Sequence, residues 1–265
     1  MAGMPRIATV IGYGNAGKRH AQAWADAGWH VGVCEKGHDW RMLAEASDAV
    51  SICTPDNLHC DMTCFALEHG LHVICEKPLT HRMDELERIE AAVRAADGQT
   101  FGTNFPLRHV PLVEALLPEQ RWIDCIYRRG HRPSSWRDNM PGYSLLCGGT
   151  IHLVDLMIAN DRRPLRACKP PPPEVELTSG RLVRQGGKFL LGETRVLAFA
   201  DFTSEFPHRV QIRADDRIIF DATEGGYDKL ADIRQFIADV ENGNPGNGAG
   251  AIRANRICIE MSCTR

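Results

Sequence analysis

The chain has no uninterrupted apolar run of about 18 residues, the length a helix needs to cross a bilayer. No membrane span is therefore expected. Its first residues lack the basic stretch, apolar segment and small-residue cleavage site of a secretory leader, so the protein is expected to remain in the cytoplasm. Charge of one sign is not in excess either: 31 basic residues stand against 34 acidic ones, a formal net charge of −3. Such a balance gives no global attraction to nucleic acid or to an anionic membrane, and neither is expected as a partner. There are 10 cysteines, but no two have the C-x-x-C spacing. Cys34, Cys53 and Cys75 fall in or at the ends of apolar runs, so reduced thiols serving as small apolar residues are expected rather than disulfides. Cys60 and Cys64 lie one helical turn apart and would need two further ligands to hold a metal, so no metal site is expected. Lysine is scarce, 6 against 25 arginines.

What remains describes a globular protein, 43% hydrophobic and 25% charged. An apolar, β-branched run, Ile7 to Ile11, leads into Gly12-Tyr13-Gly14-Asn15-Ala16-Gly17, and a helix-favouring stretch follows from Lys18 to Ala27. Strand, G-x-G-x-x-G turn, helix is the context of the dinucleotide fingerprint. One glycine permits the tight turn, the second lets backbone approach a pyrophosphate, and the third allows the helix to pack on the strand. Free N–H groups at the helix start then face the phosphates. A second strand, His30 to Cys34, ends in Glu35. A carboxylate there accepts hydrogen bonds from a ribose 2′-OH and repels a 2′-phosphate, which favours NAD. Lys36 follows and offsets part of that repulsion, so NADP stays open.

Further apolar runs at Ala49 to Cys53, His72 to Cys75 and Thr100 to Thr103 alternate with helical stretches near residues 15–27, 57–69 and 84–96. Continuous rather than alternating runs indicate strands covered on both faces, hence a doubly wound parallel sheet in an α/β domain. Only residues 35–48 separate the second and third strands, room for one short helix. Beyond Asn104 strands follow one another at Arg121 to Arg129, Glu174 to Arg184, Thr194 to Phe202, Arg209 to Arg213 and Arg217 to Phe220. That grammar predicts an α+β domain with a mixed, largely antiparallel sheet. Helices are expected at Thr150 to Ala159, at Asp228 to Glu241 and from Ala251 onward, and a stiff connector at Lys169 to Pro173. The expected division is residues 1–107 and 108–265.

Three patterns join the glycine turn in order: Thr54-Pro55-Asp56-Asn57-Leu58-His59 after the third strand, Glu76-Lys77-Pro78 after the fourth, and Gly148-Gly149-Thr150-Ile151-His152-Leu153-Val154-Asp155 in the second domain. Together they resemble the glucose-fructose oxidoreductase and inositol dehydrogenase family of NAD(P)-dependent enzymes, strongly over residues 5–110 and patchily afterwards. The resemblance implies a Rossmann domain followed by a mixed-sheet domain, with the nicotinamide at their junction. The open face of the second sheet would serve a homodimer or higher homo-oligomer. It also implies that Thr54, Pro55 and His59 line the cofactor with Glu76 and Lys77, that Lys77 faces the substrate, and that His152 exchanges a proton with it. Two departures matter. Sugar and cyclitol dehydrogenases of the family commonly carry an aspartate four residues before the histidine, where this chain has Gly148, and family members tend to be longer.

Hydride transfer belongs to a nicotinamide; the protein must position it and stabilise the reacting atom. An ammonium at the end of a parallel strand, where α/β folds place their ligands, suits a developing alkoxide, which is the role expected of Lys77. The imidazole of His152 gives and takes protons near neutral pH. Asp155, three residues later, either orients His152, contacts substrate or is a solvated helix carboxylate. Arg128-Arg129-Gly130-His131-Arg132 with Trp136 and Arg137 reads either as a substrate loop for an anionic group or as a charged strand edge. The expected activity is hydride transfer between nicotinamide and a carbonyl or hydroxyl carbon of a small, sugar- or cyclitol-like metabolite. Reduction of a C=N bond and a non-catalytic NAD(P) sensor are the alternatives, and a methyltransferase is opposed by Glu-Lys-Pro.

Overall fold

Five short strands, apolar on both faces, make the first sheet: β1 (Ile7–Ile11), β2 (His30–Cys34), β3 (Ala49–Ile52), β4 (His72–Cys75) and β5 (Phe101–Thr103). Every pairing is parallel and the order is β2-β1-β3-β4-β5. The computed structural model describes residues 6–110, 122–128, 143–160, 164–168, 175–178, 181–203, 209–215, 217–223 and 226–262. The crossovers are α1 (Asn15–Asp26), the six-residue α2 (Trp40–Glu45), α3 (His59–Glu68) after a 3-10 turn at Asp56–Leu58, and α4 (Met83–Ala95). The trimmed link between β2 and β3 leaves room for α2 and nothing more. The sheet therefore has the 2-1-3-4-5 order rather than the six-stranded 3-2-1-4-5-6 order, and its topological switch point falls between β1 and β3.

The second sheet holds β6 (Trp122–Arg128), β7 (Leu165–Ala167), β8 (Val175–Thr178), β9 (Arg181–Leu191), β10 (Thr194–Asp201), β11 (Arg209–Ala214) and β12 (Arg217–Thr223). Its order is β12-β11-β6-β10-β9-β7, with β8 paired to β9. Among the described strands of this sheet, only β6 and β10 run parallel. The mixed, largely antiparallel sheet is as expected; two of its parts are not. The single strand expected at Glu174 to Arg184 is a hairpin, β8 and β9, and β7 was not foreseen. β6 alternates, with Ile123, Cys125 and Tyr127 buried. α5 (Ile151–Asn160) follows a π-helical turn at Leu146–Thr150 and is buried at Ile151, Leu153, Val154, Leu156 and Met157.

Two further helices close the chain, α6 (Ala231–Asn242) and α7 (Gly248–Ser262). The molecule divides into two units, Met1–Pro106 with Lys229–Ile252, and Leu107–Asp228 with Arg253–Arg265. The second domain expected at 108–265 is thus interrupted. Ile233, Phe236 and Ile237 of α6 share a core with Val10, Trp24, Trp29 and Ile74 of the first unit. The segment after α6 also covers the open edge of β5: Phe101 N–H donates to the Pro245 carbonyl at 3.2 Å, and Thr103 N–H to Asn247 Oδ1 at 2.8 Å. Asn247 Nδ2 returns a bond to the Thr103 carbonyl at 2.9 Å, so the edge strand finds the partners a further strand would have given. Residues 129–137 and 169–173, named above, lie outside the described residues.

Candidate functional site

The three glycines after β1 do three different things. Gly12 has φ +92°, and a Cβ on it would lie 2.7 Å from the Cys53 carbonyl oxygen, so it brings the turn against the end of β3. A Cβ on Gly17 would lie 2.0 Å from the Gly12 oxygen; only glycine lets the helix close on the turn. Gly14 is the reverse, with no atom within 4 Å of where its Cβ would be. That open space gives a ligand access to backbone. Gly14 is the N-cap of α1, and no side chain caps the helix, which leaves its first N–H groups for an anion. Tyr13 and Asn15 are exposed and Ala16 is half-buried. This donor set fits a dinucleotide diphosphate.

Sequence reading passed over Arg19. One helical turn on from Asn15, its Nε is buried with no hydrogen-bond partner among the described residues, a donor that an anionic ligand would satisfy. Nothing in the glycine spacing marks it. Glu35 stands exposed at the end of β2, and its backbone N–H donates to His38 Nδ1 at 3.3 Å.

Across the switch point the ends of β3 and β4 are bound together by buried side chains. Trp24 Nε1–H donates to Ser51 Oγ at 2.8 Å, Ser51 Oγ lies 3.1 Å from His20 Nδ1, and His20 Nε2 lies 3.3 Å from Glu76 Oε1. Asn104 Nδ2, just past β5, donates to the same Glu76 oxygen at 2.9 Å. Burial alone would raise the Glu76 carboxyl, but the bonds from His20 and Asn104, with the charges of His20 and Lys77, hold it well below the usual carboxylate range. Glu76, expected among the cofactor-binding residues, thus has one oxygen committed to fastening α1 to the end of β4. Lys77 follows, half-buried, and Lys77-Pro78 is a cis peptide. Thr54 and Pro55 are half-buried at the end of β3, and Thr54 Oγ1 donates to Met62 Sδ at 3.6 Å.

His59 is the clearest change from expectation. It is 0% exposed, with Nδ1 2.7 Å from the Pro78 carbonyl oxygen and Nε2 3.0 Å from the Thr54 carbonyl oxygen. Both ring nitrogens are spent on backbone, and neither is offered to a cofactor. His81 and Asp56, both buried, add a second tie between the same two loops at 3.1 Å.

In the second unit, His152 is half-buried on the first turn of α5, its ring 6.3 Å from that of Tyr127 on β6 at an interplanar angle of 17°. Tyr127 stacks in turn on Phe202, at 5.8 Å. Gly149 lets the π-helical turn press on this ring: a Cβ there would lie 2.6 Å from Tyr127 Cδ1. Asp155 is not the solvated carboxylate that one reading allowed. It is 0% exposed and receives both Nε and Nη2 of Arg108, the former at 3.0 Å. Bidentate capture of this kind fixes a carboxylate in place and commits it to the guanidinium. At position 148, where the resemblance led to the expectation of an aspartate, a Cβ on Gly148 would stand 3.0 Å from Tyr143 Oη, so a phenol fills that room.

Among the described residues the cysteines are free thiols, most of them buried. No group of three or more His, Cys, Asp or Glu there is arranged to hold a metal, and no helix is long and apolar enough to cross a membrane.

With this geometry in place, residues 29–104 match the family described as oxidoreductase family, NAD-binding Rossmann fold. Over those residues the chain is similar to this oxidoreductase family. It is 38% identical over 129 residues to a 1,5-anhydro-D-fructose reductase of Ensifer adhaerens, covering 43% of this chain and 38% of that one. A D-xylose 1-dehydrogenase (NADP(+)) of Haloferax volcanii is 43% identical over 74 residues, covering 28% of this chain and 22% of that one. The chain thus spans well under two thirds of the length of these curated relatives. Among solved structures, the WlbA (WbpB) dehydrogenase of Thermus thermophilus, in complex with NAD and UDP-GlcNAcA, superposes with a TM-score of 0.76 at 17% identity, over 98% of this chain and 95% of that one. A myo-inositol 2-dehydrogenase of Lactobacillus plantarum gives 0.70 at 14% identity, over 96% and 95%. At those identities the likeness is one of fold.

Proposed function

We propose that the chain is an NAD(P)-dependent oxidoreductase that moves hydride between nicotinamide and a carbonyl or hydroxyl carbon of a small, sugar- or cyclitol-like metabolite. The observation that carries the proposal is the pairing of an open Gly14 and an uncapped α1 with the Glu76-Lys77-Pro78 turn, whose glutamate is fastened to α1 through His20. Gly12 to Gly17 would hold the diphosphate, and Glu35 the adenosine ribose, with NAD preferred. Thr54 and Pro55 would border the nicotinamide end.

A bound nicotinamide supplies or accepts the hydride. Lys77 stabilises the oxygen on which negative charge develops, an interaction that strengthens as water leaves. His152 is the proposed proton carrier, an imidazole that gives and takes protons near neutral pH, and its stack on Tyr127 fixes the plane of the ring. Asp155, held by Arg108, anchors α5 one turn beyond His152. For assembly, the open face of the second sheet, where Leu197 is 41% exposed, is the proposed self-association surface. Light scattering on wild type and Leu197→Arg tests it, and an unchanged mass would remove it.

The activity is tested by following NADH and NADPH consumption by purified protein against panels of aldoses, ketoses, inosose-type ketones and cyclic imines. Turnover of a polyhydroxylated carbonyl, lost in Lys77→Ala and His152→Ala, is the expected outcome. Tight NADH binding with silence on every panel would replace the enzyme with a dinucleotide sensor. Turnover intact in both variants would remove the assigned roles.

A further inference from the structure

His59 is the buried ionisable group that the proposed chemistry does not use. Its surroundings define its charge by geometry. A carbonyl oxygen only accepts hydrogen bonds, and a neutral imidazole has a single N–H. Yet Nδ1 faces the Pro78 oxygen at 2.7 Å and Nε2 faces the Thr54 oxygen at 3.0 Å. With one proton, one nitrogen lone pair would oppose a carbonyl lone pair in a site closed to water. With two protons both contacts become charge-assisted hydrogen bonds.

We propose that His59 is a permanently protonated brace, donating one N–H to each of the two loops that end β3 and β4, and that it is a positioning residue for Lys77. The position opposes a cation in one respect, because His59 opens α3, where the helix dipole is positive. That repulsion is spread over the first turn of the helix, whereas each carbonyl contact becomes a direct, charge-assisted hydrogen bond to the ring. The other charged and titratable groups facing the ring are the Cys75 thiol on β4 and the Asp56 carboxylate, itself paired with His81. Burial would lower the imidazole; the charge and hydrogen bond of the Cys75 side chain, then the Asp56 charge and the Pro78 carbonyl, outweigh it and raise it to about 10. Thr54 and Pro78 flank the proposed nicotinamide end and Lys77 respectively, so the brace fixes the spacing between them. The importance for hydride transfer rests on the proposed function, whereas the charge and the bracing do not.

The test uses the full chain with 15N-labelled histidine. Long-range 1H–15N spectra are recorded from about pH 6 to about pH 9, where an ordinary imidazole is neutral. One ring should keep two protonated nitrogens at the upper limit, and its signals should be missing from H59Q. If H59Q does not fold, contacts from the ring protons to Pro78 and Thr54 assign the signal in wild type. A bare ring nitrogen on His59 at about pH 8 overturns the charge assignment.

The positioning role is read by acylating surface amines with a small activated ester and mapping them by mass spectrometry. In folded H59Q, whose amide spans only one of the two carbonyls, Lys77 should label about threefold faster once released, while exposed Lys18 is unchanged. Equal Lys77 labelling in wild type and folded H59Q overturns positioning. A protein that passes both tests but binds neither NADH nor NADPH sinks the cofactor reading alone, and one that binds NADH with a neutral His59 sinks the brace alone.

Discussion

The two units solve the same problem, holding polar groups still at the end of a sheet, in different ways. In the first, parallel strands end in loops sewn together by buried side chains: His20 to Glu76, Asn104 to Glu76, His59 to two carbonyls, His81 to Asp56. In the second, the contacts among the described residues include a ring stack on His152, a glycine pressed on the stacked Tyr127, and a buried ion pair, Arg108 with Asp155, on the same helix as His152. Sewn loops need particular residues at particular spacings and so write motifs into the sequence. Packed elements accept many solutions and write few.

The sharpest test of that contrast is Gly17→Ala in the first unit. Its Cβ would meet backbone, not a side chain that can rotate away, so the turn must open and α1 must shift. We expect loss of at least about 3 kcal/mol of stability by urea denaturation and no measurable NADH binding. Gly14→Ala is the control: with empty space around the new methyl, it should melt within a degree or two of wild type while weakening NADH binding. Equal behaviour of the two variants would mean that the turn is not shaped for a diphosphate.

In the second unit the largest effect should come from Asp155→Asn. Asparagine removes the charge to which Arg108 Nε and Nη2 donate, a loss of about 3–5 kcal/mol for a buried pair. The double variant with Arg108→Met should recover much of that loss, since replacing both ions with apolar groups is often neutral. A double variant no more stable than Asp155→Asn would mean that Asp155 has a further obligatory partner. Lys77→Ala should instead leave stability nearly unchanged and reduce turnover about 100- to 1,000-fold, as expected for losing an electrostatic stabiliser of the reacting oxygen. An equally large drop in NADH affinity would move Lys77 from substrate to cofactor.

How much of this was legible beforehand follows the same division. The strands of the first sheet read out because they are apolar on both faces. The glycine turn and Glu-Lys-Pro read out because their spacing is set by backbone contacts. The helix α7 was expected from Ala251 but starts at Gly248, inside a Gly-rich segment of low helix propensity. The reason is tertiary: a Cβ on Gly248 would lie 2.2 Å from Phe101 Cδ1, so glycine is required there and the helix forms around it. β7 is three residues long and exists only through its pairing with β9, which no local pattern announces. Glu174 to Arg184 reads as one strand because the residues at 179 and 180 do not break a sequence that is strand-like on both sides. His59 was assigned to the cofactor by its place in a motif, and its real contacts are with carbonyls 5 and 19 residues away. Periodicity carries no information about such bonds. Arg108 and Asp155, 47 residues apart, were invisible as a pair for the same reason.

The smallest predicted effect separates the histidine of one unit from that of the other by pH. His59 is raised on folding from an ordinary 6.5 to about 10. Its contribution to stability is therefore complete below about 6.5 and is lost as pH climbs through about 10. Glu76 is shifted the other way, so its contribution is present above the ordinary carboxylate range and disappears only in strong acid. Between roughly pH 7 and 9.5, then, the wild-type melting temperature should fall by several degrees more than that of His59→Gln. His152→Gln, which leaves the His59 contacts to Thr54 and Pro78 intact, should keep the wild-type slope across the same interval. If His59→Gln and wild type lose stability in parallel as pH rises, the alkaline sensitivity comes from other groups, and the sewn loops of the first unit hold without a charged histidine between them.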